Sequence, residues 1–383
     1  MSSSKPRLFA VEAMRGISMM GVIGIHIGAE YLMNPTPNLH LVALFDIGTR
    51  FSVPIFFLIS AFGLFYGQNL SAPFSYRNFL VRRTRTVVIP YLTWSLFYLV
   101  HDAYHYGVGF PSLLSLPGIL FFGNAKYQLY FMVILIWFYL LIPLWRILLR
   151  ALTIRSLAVL LILQVAFDYW SSYSTALNLY VYQLPKDTLW HDLLFYRLNY
   201  WPLHYIFIFL LGGFLALHFD TFRSWMARQW KNLYAVGALS LILLLLWYYK
   251  LILYDGYTPV EAIFTAHQLS PLGIFYTISA SLALFAFFMR LPAERPTGHI
   301  FQLLGKHSYF IYLAHPLTIT YLTMYIAARG YVLTAPIALC LYIATLILTL
   351  WGAVIVRRLG ARVPMLNILT IGLAPKPKPK PKR

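Results

Sequence analysis

The chain has 383 residues, of which 60% are hydrophobic and only 11% are charged, and its formal net charge is +19. A soluble domain carries about 25% charged residues, so this composition excludes an ordinary soluble protein and indicates an all-α polytopic membrane protein. The single cysteine, Cys340, excludes an internal disulfide and a cysteine metal cluster, and we expect no metal site.

Apolar segments of about 20 residues recur along the chain and predict about ten transmembrane helices. The expected spans are 8–33, 47–67, 86–106, 128–149, 156–173, 201–219, 233–253, 270–290, 306–328 and 333–356. More spans follow the first one, which favours a retained span over a cleaved signal peptide. We expect one transmembrane domain over 1–372 and a disordered Lys/Pro cytoplasmic tail over 373–383, because its alternating prolines prevent helix formation.

The basic residues are distributed unevenly among the predicted connections. If the N-terminus is cytoplasmic, 23 of the 30 Lys and Arg residues fall in cytoplasmic segments or span ends, and 6 fall on the outer side. The positive-inside rule therefore predicts that both termini are cytoplasmic. The basic excess then reflects topology and contact with anionic membrane lipids, so we expect no nucleic-acid partner.

The first span carries Glu12, Arg15 and His26 in an otherwise apolar segment. Arg15 and His26 are eleven residues apart, which on a helix places them within about 20° of one face and about 16 Å apart. Glu12 precedes Arg15 by three residues and can pair with it. One interpretation is a buried pair that fixes packing, with His26 capping a carbonyl. The other is a polar path through the membrane with a base near its outer end.

Two further segments carry candidate chemistry. In "FLVRRTRTVVIPY", Arg82 and Arg85 are one helical turn apart and can converge on one anion, whereas Arg83 points elsewhere but lies close. Ordinary positive-inside charge is the alternative explanation. In "VPIFFLISAFGLF", Pro54 and Ser60 indicate a kinked or re-entrant span, or a kink that serves packing.

These segments, taken together, resemble the membrane-bound acyltransferase 3 family. The opening "VEAMRGISMMGVIGIH" is similar to the family's basic residue, ten residues, then histidine, and "LGKHSYFIYLAHPL" is similar to its late Ser…Tyr-Leu-x-His segment. The residues that match the family's motifs are Arg15, His26, Ser60, Arg82, Arg85, Ser308, Tyr312 and His315. Departures are Glu12 for the usual Asp, Ala61 for the usual glycine, and "YQLYFM" where a His-Leu-Trp-type sequence is expected.

The resemblance implies an O-acyltransferase of the bacterial cytoplasmic (inner) membrane. Such an enzyme moves an acyl group, expected to be acetyl, from cytoplasmic acyl-CoA to a hydroxyl at the outer side. Acyl-CoA is a co-substrate and no permanently bound cofactor is implied. The implied acceptor is a glycan, such as a surface polysaccharide or a lipid-linked saccharide. A transporter or flippase for a glycan or lipid-linked intermediate is the alternative, since a polar path suits either role.

The resemblance also suggests roles for the candidate residues. His26 is expected to act as general base, Arg15 to position the donor or stabilise developing negative charge, and Glu12 to orient Arg15. Arg82 and Arg85, assisted by Arg83, are expected to bind the phosphates of acyl-CoA. The second-line candidates are His315, Tyr312 and Ser60.

Overall fold

The computed structural model describes residues 8–34, 36–186 and 188–373, and within them the chain is helical with no strand. The α-helices are α1 (Phe9–Tyr31), α2 (Leu39–Phe45), α3 (Ser52–Phe65), α4 (Tyr76–Arg83), α5 (Ile89–Tyr106), α6 (Leu116–Phe122), α7 (Tyr130–Leu140), α8 (Ile142–Ala151), α9 (Ile154–Tyr173), α10 (Thr175–Gln183), α11 (Leu189–Phe195), α12 (Arg197–Tyr200), α13 (Ile206–Leu217), α14 (Phe219–Leu253), α15 (Pro259–Thr265), α16 (Pro271–Arg290), α17 (Pro296–Ala328), α18 (Ala335–Arg362) and α19 (Pro364–Ile371). Short 3-10 turns lie at Ile47–Thr49 and Pro202–Tyr205, and a π-helical turn lies at Thr84–Val88. The predicted Lys/Pro tail lies, from residue 374 onward, outside the described residues.

Among the described residues, seven helical segments are long and apolar enough to cross a membrane. They are Phe9–Tyr31, Leu39–Phe65, Ile154–Tyr173, Phe219–Leu253, Pro271–Arg290, Pro296–Ala328 and Ala335–Arg362. The number rises to eight if α7 and α8, which meet at a bend of 66°, form one broken span. An all-α protein with several candidate spans is thus confirmed.

The remaining predicted spans fall on helices that do not meet these criteria. The segment 86–106 corresponds to α5, whose C-terminal part carries His101, Asp102 and His105. The segment 201–219 corresponds largely to α13, which has only 12 residues. The count of ten spans and the cytoplasmic location of both termini therefore stay predictions.

Helix α1 lies at the centre of the bundle and packs against α3, α16, α17 and α18. Its side chains Ala13, Met14 and Met19 are fully buried. The crossing with α17 is unusually close, because a Cβ atom on Gly305 would overlap the Glu12 backbone. Small residues permit such close approach of two helix backbones. The crossing sets the polar face of α1 directly against α17.

Candidate active site

A cationic cavity of about 670 Å³ lies beside the α1–α17 crossing. Both Glu12 and Arg15 of α1 border it. The other polar side chains on its wall come from α17 and α18, and they are His299, Gln302, Lys306, His307, Tyr309 and Arg357. Ligand cavities have volumes of about 300–1,000 Å³, and arginine and lysine bind phosphate oxygens through charge-assisted hydrogen bonds. The cavity therefore has the size and charge that suit a phosphorylated ligand.

Arg15 also borders a second cavity, of about 260 Å³. Its guanidinium reaches α3, where a Cβ atom on Gly63 would lie 3.6 Å from Arg15 Nη2. The second cavity has a wall of aromatic and apolar side chains that also includes Ser60, Ser308 and Tyr312. Arg15 thus lies between the cationic cavity and a smaller, mainly apolar one.

The three arginines of the α4 region lie in different surroundings. Arg83 borders the second cavity, and its guanidinium packs over the rings of Phe79 and Tyr139, at 5.1 and 4.8 Å from their centroids. Arg85 is exposed and borders a separate surface cavity of about 490 Å³, and Arg82 is exposed as well. Of the three, Arg83 is therefore the one that shares a cavity with Arg15.

His26 and His315 form a stacked pair further along α1 and α17. Their ring centroids are 5.1 Å apart with an interplanar angle of 24°. His315 is fully buried, and its Nδ1 donates to the Ile311 carbonyl oxygen at 3.2 Å, because a carbonyl can only accept. The Tyr127 ring, which is 44% exposed, lies 4.4 Å from the ring of the partly buried His26. The second-line candidate His315 thus lies in contact with the expected base.

Tyr312, another second-line candidate, links this pair to the second cavity. Its ring centroid lies 6.1 Å from that of His315, and its hydroxyl donates to the backbone carbonyl of Gln128. Tyr312 also borders the cavity that contains Ser60 and Arg15. The structure therefore brings together Arg15, Ser60, Arg83, Tyr312, His315 and His26, whereas Arg82 and Arg85 lie outside this group.

A second polar cluster, which sequence reasoning missed, lies between α9 and the start of α13. His204 Nδ1 donates to Asp168 Oδ1 at 2.6 Å, and the amide of Gln164 donates to the same oxygen at 2.9 Å. Ser171 lies on the other side of the ring, 3.4 Å from His204 Nε2. Asp168 and His204 have fully buried side chains, and the adjoining cavity, of about 20 Å³, has room only for water. The signal in the sequence is a carboxylate inside an otherwise apolar helix.

Comparison with known proteins decides the family. A family described as an acyltransferase domain matches residues 8–358, which is most of the chain and includes every motif discussed above. The chain belongs to the acyltransferase 3 family. This confirms the resemblance, and acyltransferase 3 membership with several candidate spans makes the protein a membrane acyltransferase. No curated protein and no solved structure matches this acyltransferase 3 chain.

Proposed function

We propose that the protein transfers an acyl group, acetyl in the first instance, from cytoplasmic acyl-CoA to a hydroxyl of a glycan or glycan-like acceptor on the outer side of a bacterial inner membrane. The observation that supports this most is the position of Arg15. It borders both a cationic cavity and a smaller cavity that Tyr312 also lines, next to the stacked histidines. An acyl-CoA donor, which has a phosphorylated end and a long thin arm, fits these two neighbouring cavities.

In this proposal, the phosphates of acyl-CoA occupy the cationic cavity. Lys306 and Arg357 supply charge on its wall, and the arm passes Arg15 into the second cavity. Arg83 borders that second cavity and adds positive charge there. The exposed Arg82 and Arg85 then only attract the donor electrostatically from the protein surface. Comparing a Lys306/Arg357 double variant with an Arg82/Arg85 double variant shows which pair binds the phosphates.

The chemistry proposed for the histidine pair is general base catalysis. His26 takes the proton of the acceptor hydroxyl while its oxygen attacks the thioester carbonyl carbon. The new C–O bond forms, the C–S bond breaks, and the CoA thiolate leaves and takes a proton from the resulting imidazolium. Stacking against the fully buried His315 holds the His26 ring in one orientation.

The test uses the full chain reconstituted in proteoliposomes with radiolabelled acetyl-CoA enclosed and a membrane glycan fraction outside. We expect release of free CoA inside and label on the outer glycan. Empty liposomes provide the control. If no CoA is released above that control, the proposed function is wrong. Movement of glycan across the membrane without acetyl-CoA would instead support the transporter alternative.

A further inference from the structure

Gln128 has a buried side chain whose amide lacks a hydrogen-bond partner. The residue is 1% exposed, and neither its Nε2 nor its Oε1 makes a hydrogen bond within the described part of the chain. Leaving a buried polar group unpaired costs about 1–3 kcal/mol. Such groups are rare in folded proteins, and each one needs an explanation.

The position of Gln128 is fixed beside the histidine pair. Its backbone carbonyl accepts from the Tyr312 hydroxyl, and the ring of the preceding Tyr127 lies 4.4 Å from His26. The fully buried Nε2 of His315 likewise has no partner among the described residues. Tyr312 therefore connects the two residues that carry unpaired polar atoms, because its hydroxyl bonds the Gln128 backbone and its ring centroid lies 6.1 Å from that of His315.

The neighbouring Tyr98 hydroxyl does not satisfy this amide. Tyr98 gives its proton to the Leu313 carbonyl oxygen at 2.6 Å, so towards Gln128 it can only accept. The Gln128 amide has two N–H bonds and one carbonyl oxygen. At least one N–H stays available even if Tyr98 accepts the other.

We propose that Gln128 Nε2 donates a hydrogen bond to the carbonyl oxygen of the acyl thioester and stabilises the oxyanion that forms there. This inference rests on the proposed function, and Gln128 is then a catalytic residue that contacts the reacting group. As the acceptor oxygen adds, the carbonyl π electrons move onto the oxygen that Gln128 binds. They return as the C–S bond breaks, while His26 carries the acceptor proton. An amide fixed in a water-poor site before reaction stabilises such charge strongly.

The test compares Gln128→Met and Gln128→Glu with wild-type protein in the CoA-release assay. Removal of one oxyanion donor lowers kcat about 10²–10³-fold, and we expect that loss in both variants. The KM for acetyl-CoA should change less than about threefold, because the contact strengthens only in the transition state. The Tm of Gln128→Met should equal or exceed that of wild type, because an unpaired buried amide has been removed.

The exposed Gln183, at the end of α10, provides the matched control, and Gln183→Met should keep wild-type kcat. Wild-type kcat in Gln128→Met would overturn the inference while leaving the proposed function intact. A lowered Tm together with an equal change in KM and kcat would also overturn it, since that pattern belongs to a packing role. Absence of CoA release by wild-type protein would overturn the proposed function itself, and this inference with it.

Discussion

His26 and His315 stack with their ring centroids 5.1 Å apart, although they lie on the first long helix and on one close to the end of the chain. The His315 Nδ1–H bond to Ile311 fixes the orientation of one ring, and the stack fixes the other. The pair lies about 16 Å along α1 from Arg15, by the rise of an α-helix. The expected base therefore has a neighbour that restricts its rotation.

Replacing His26 should remove the base without disturbing the fold. We expect His26→Ala to lower kcat for acyl transfer about 10²–10⁴-fold, the contribution of a positioned general base. The measurement is CoA release in nanodiscs. The exposed His218, whose Nδ1 bonds the Phe214 carbonyl oxygen, offers the control, and His218→Ala should retain activity. Full turnover by His26→Ala would remove His26 from the chemistry.

The cationic cavity makes a prediction about donor affinity. Lys306→Ala combined with Arg357→Ala should raise the KM for acetyl-CoA about 10–100-fold, because a hydrogen bond to a charged group contributes about 1.5–3 kcal/mol. The comparison is Arg82→Ala with Arg85→Ala, which removes the same charge from positions that do not border this cavity. A larger rise in KM for this second pair would place the phosphates at α4 instead.

The α1–α17 crossing predicts a strict size limit at Gly305. A methyl group there would overlap the Glu12 backbone, so Gly305→Ala must push the helices apart. Overpacking costs about 1–3 kcal/mol, and we expect a clear drop in Tm measured in detergent. Gly118, in α6, has open space around it and is the matched position. A Gly305→Ala variant as stable as Gly118→Ala would contradict the close contact.

A histidine in the loop between α15 and α16 predicts acid sensitivity. Burial, with the nearby Arg50 and His204, lowers the pKa of the His267 imidazole to about 3. Its neutral Nδ1 accepts from the Leu269 N–H at 3.0 Å. In the unfolded chain the pKa of His267 is about 6.5, so the free energy of unfolding is unaffected by this residue above that pH. It falls as the pH drops towards 3, and the loss is about 2 kcal/mol at pH 5.

The matched variant for this prediction is His267→Asn, whose side-chain oxygen can accept the same bond without titrating. We expect its Tm to fall less than that of wild type between pH 7 and pH 5. Parallel decreases in both proteins would show that His267 does not titrate in this range.

The Asp168–His204 pair should matter far more for stability than an exposed pair. Asp168→Ala leaves two buried donors, on His204 and Gln164, without their shared acceptor, and we expect a loss of about 2–5 kcal/mol. Asp255, which pairs with the exposed Lys250, is the control, and Asp255→Ala should cost less than about 1 kcal/mol. Equal losses in free energy of unfolding for Asp168→Ala and Asp255→Ala would mean that burial of the Asp168–His204 pair does not add to stability.

The polar face of α1, formed by Glu12, Arg15 and His26, could be predicted because it depends only on helical periodicity within one segment. The family motifs could be recognised for the same reason, since they are local. The stack of His26 on His315 depends on how α1 and α17 cross, and no local pattern contains that information. The cations Lys306 and Arg357 were visible in the sequence, but topology explained them equally well.

The arginine cluster shows a different limit. Regular helical spacing places Arg82 and Arg85 on one face, with Arg83 apart. The π-helical turn at Thr84–Val88 holds more residues per turn and ends that regular spacing. Arg83 then borders the cavity shared with Arg15, while Arg85 faces another. A single widened turn has no reliable sequence signature.

Lys306, Ser308, Tyr312 and His315 all belong to one continuous helix, α17. Nine residues separate Lys306 from His315, which is about 14 Å of helix. A shift of α17 that widens the cationic cavity must also displace the ring that supports His26. The proposed donor cavity and the proposed base are thus supported by one helix, and we expect donor binding to be coupled to the orientation of the His26 ring.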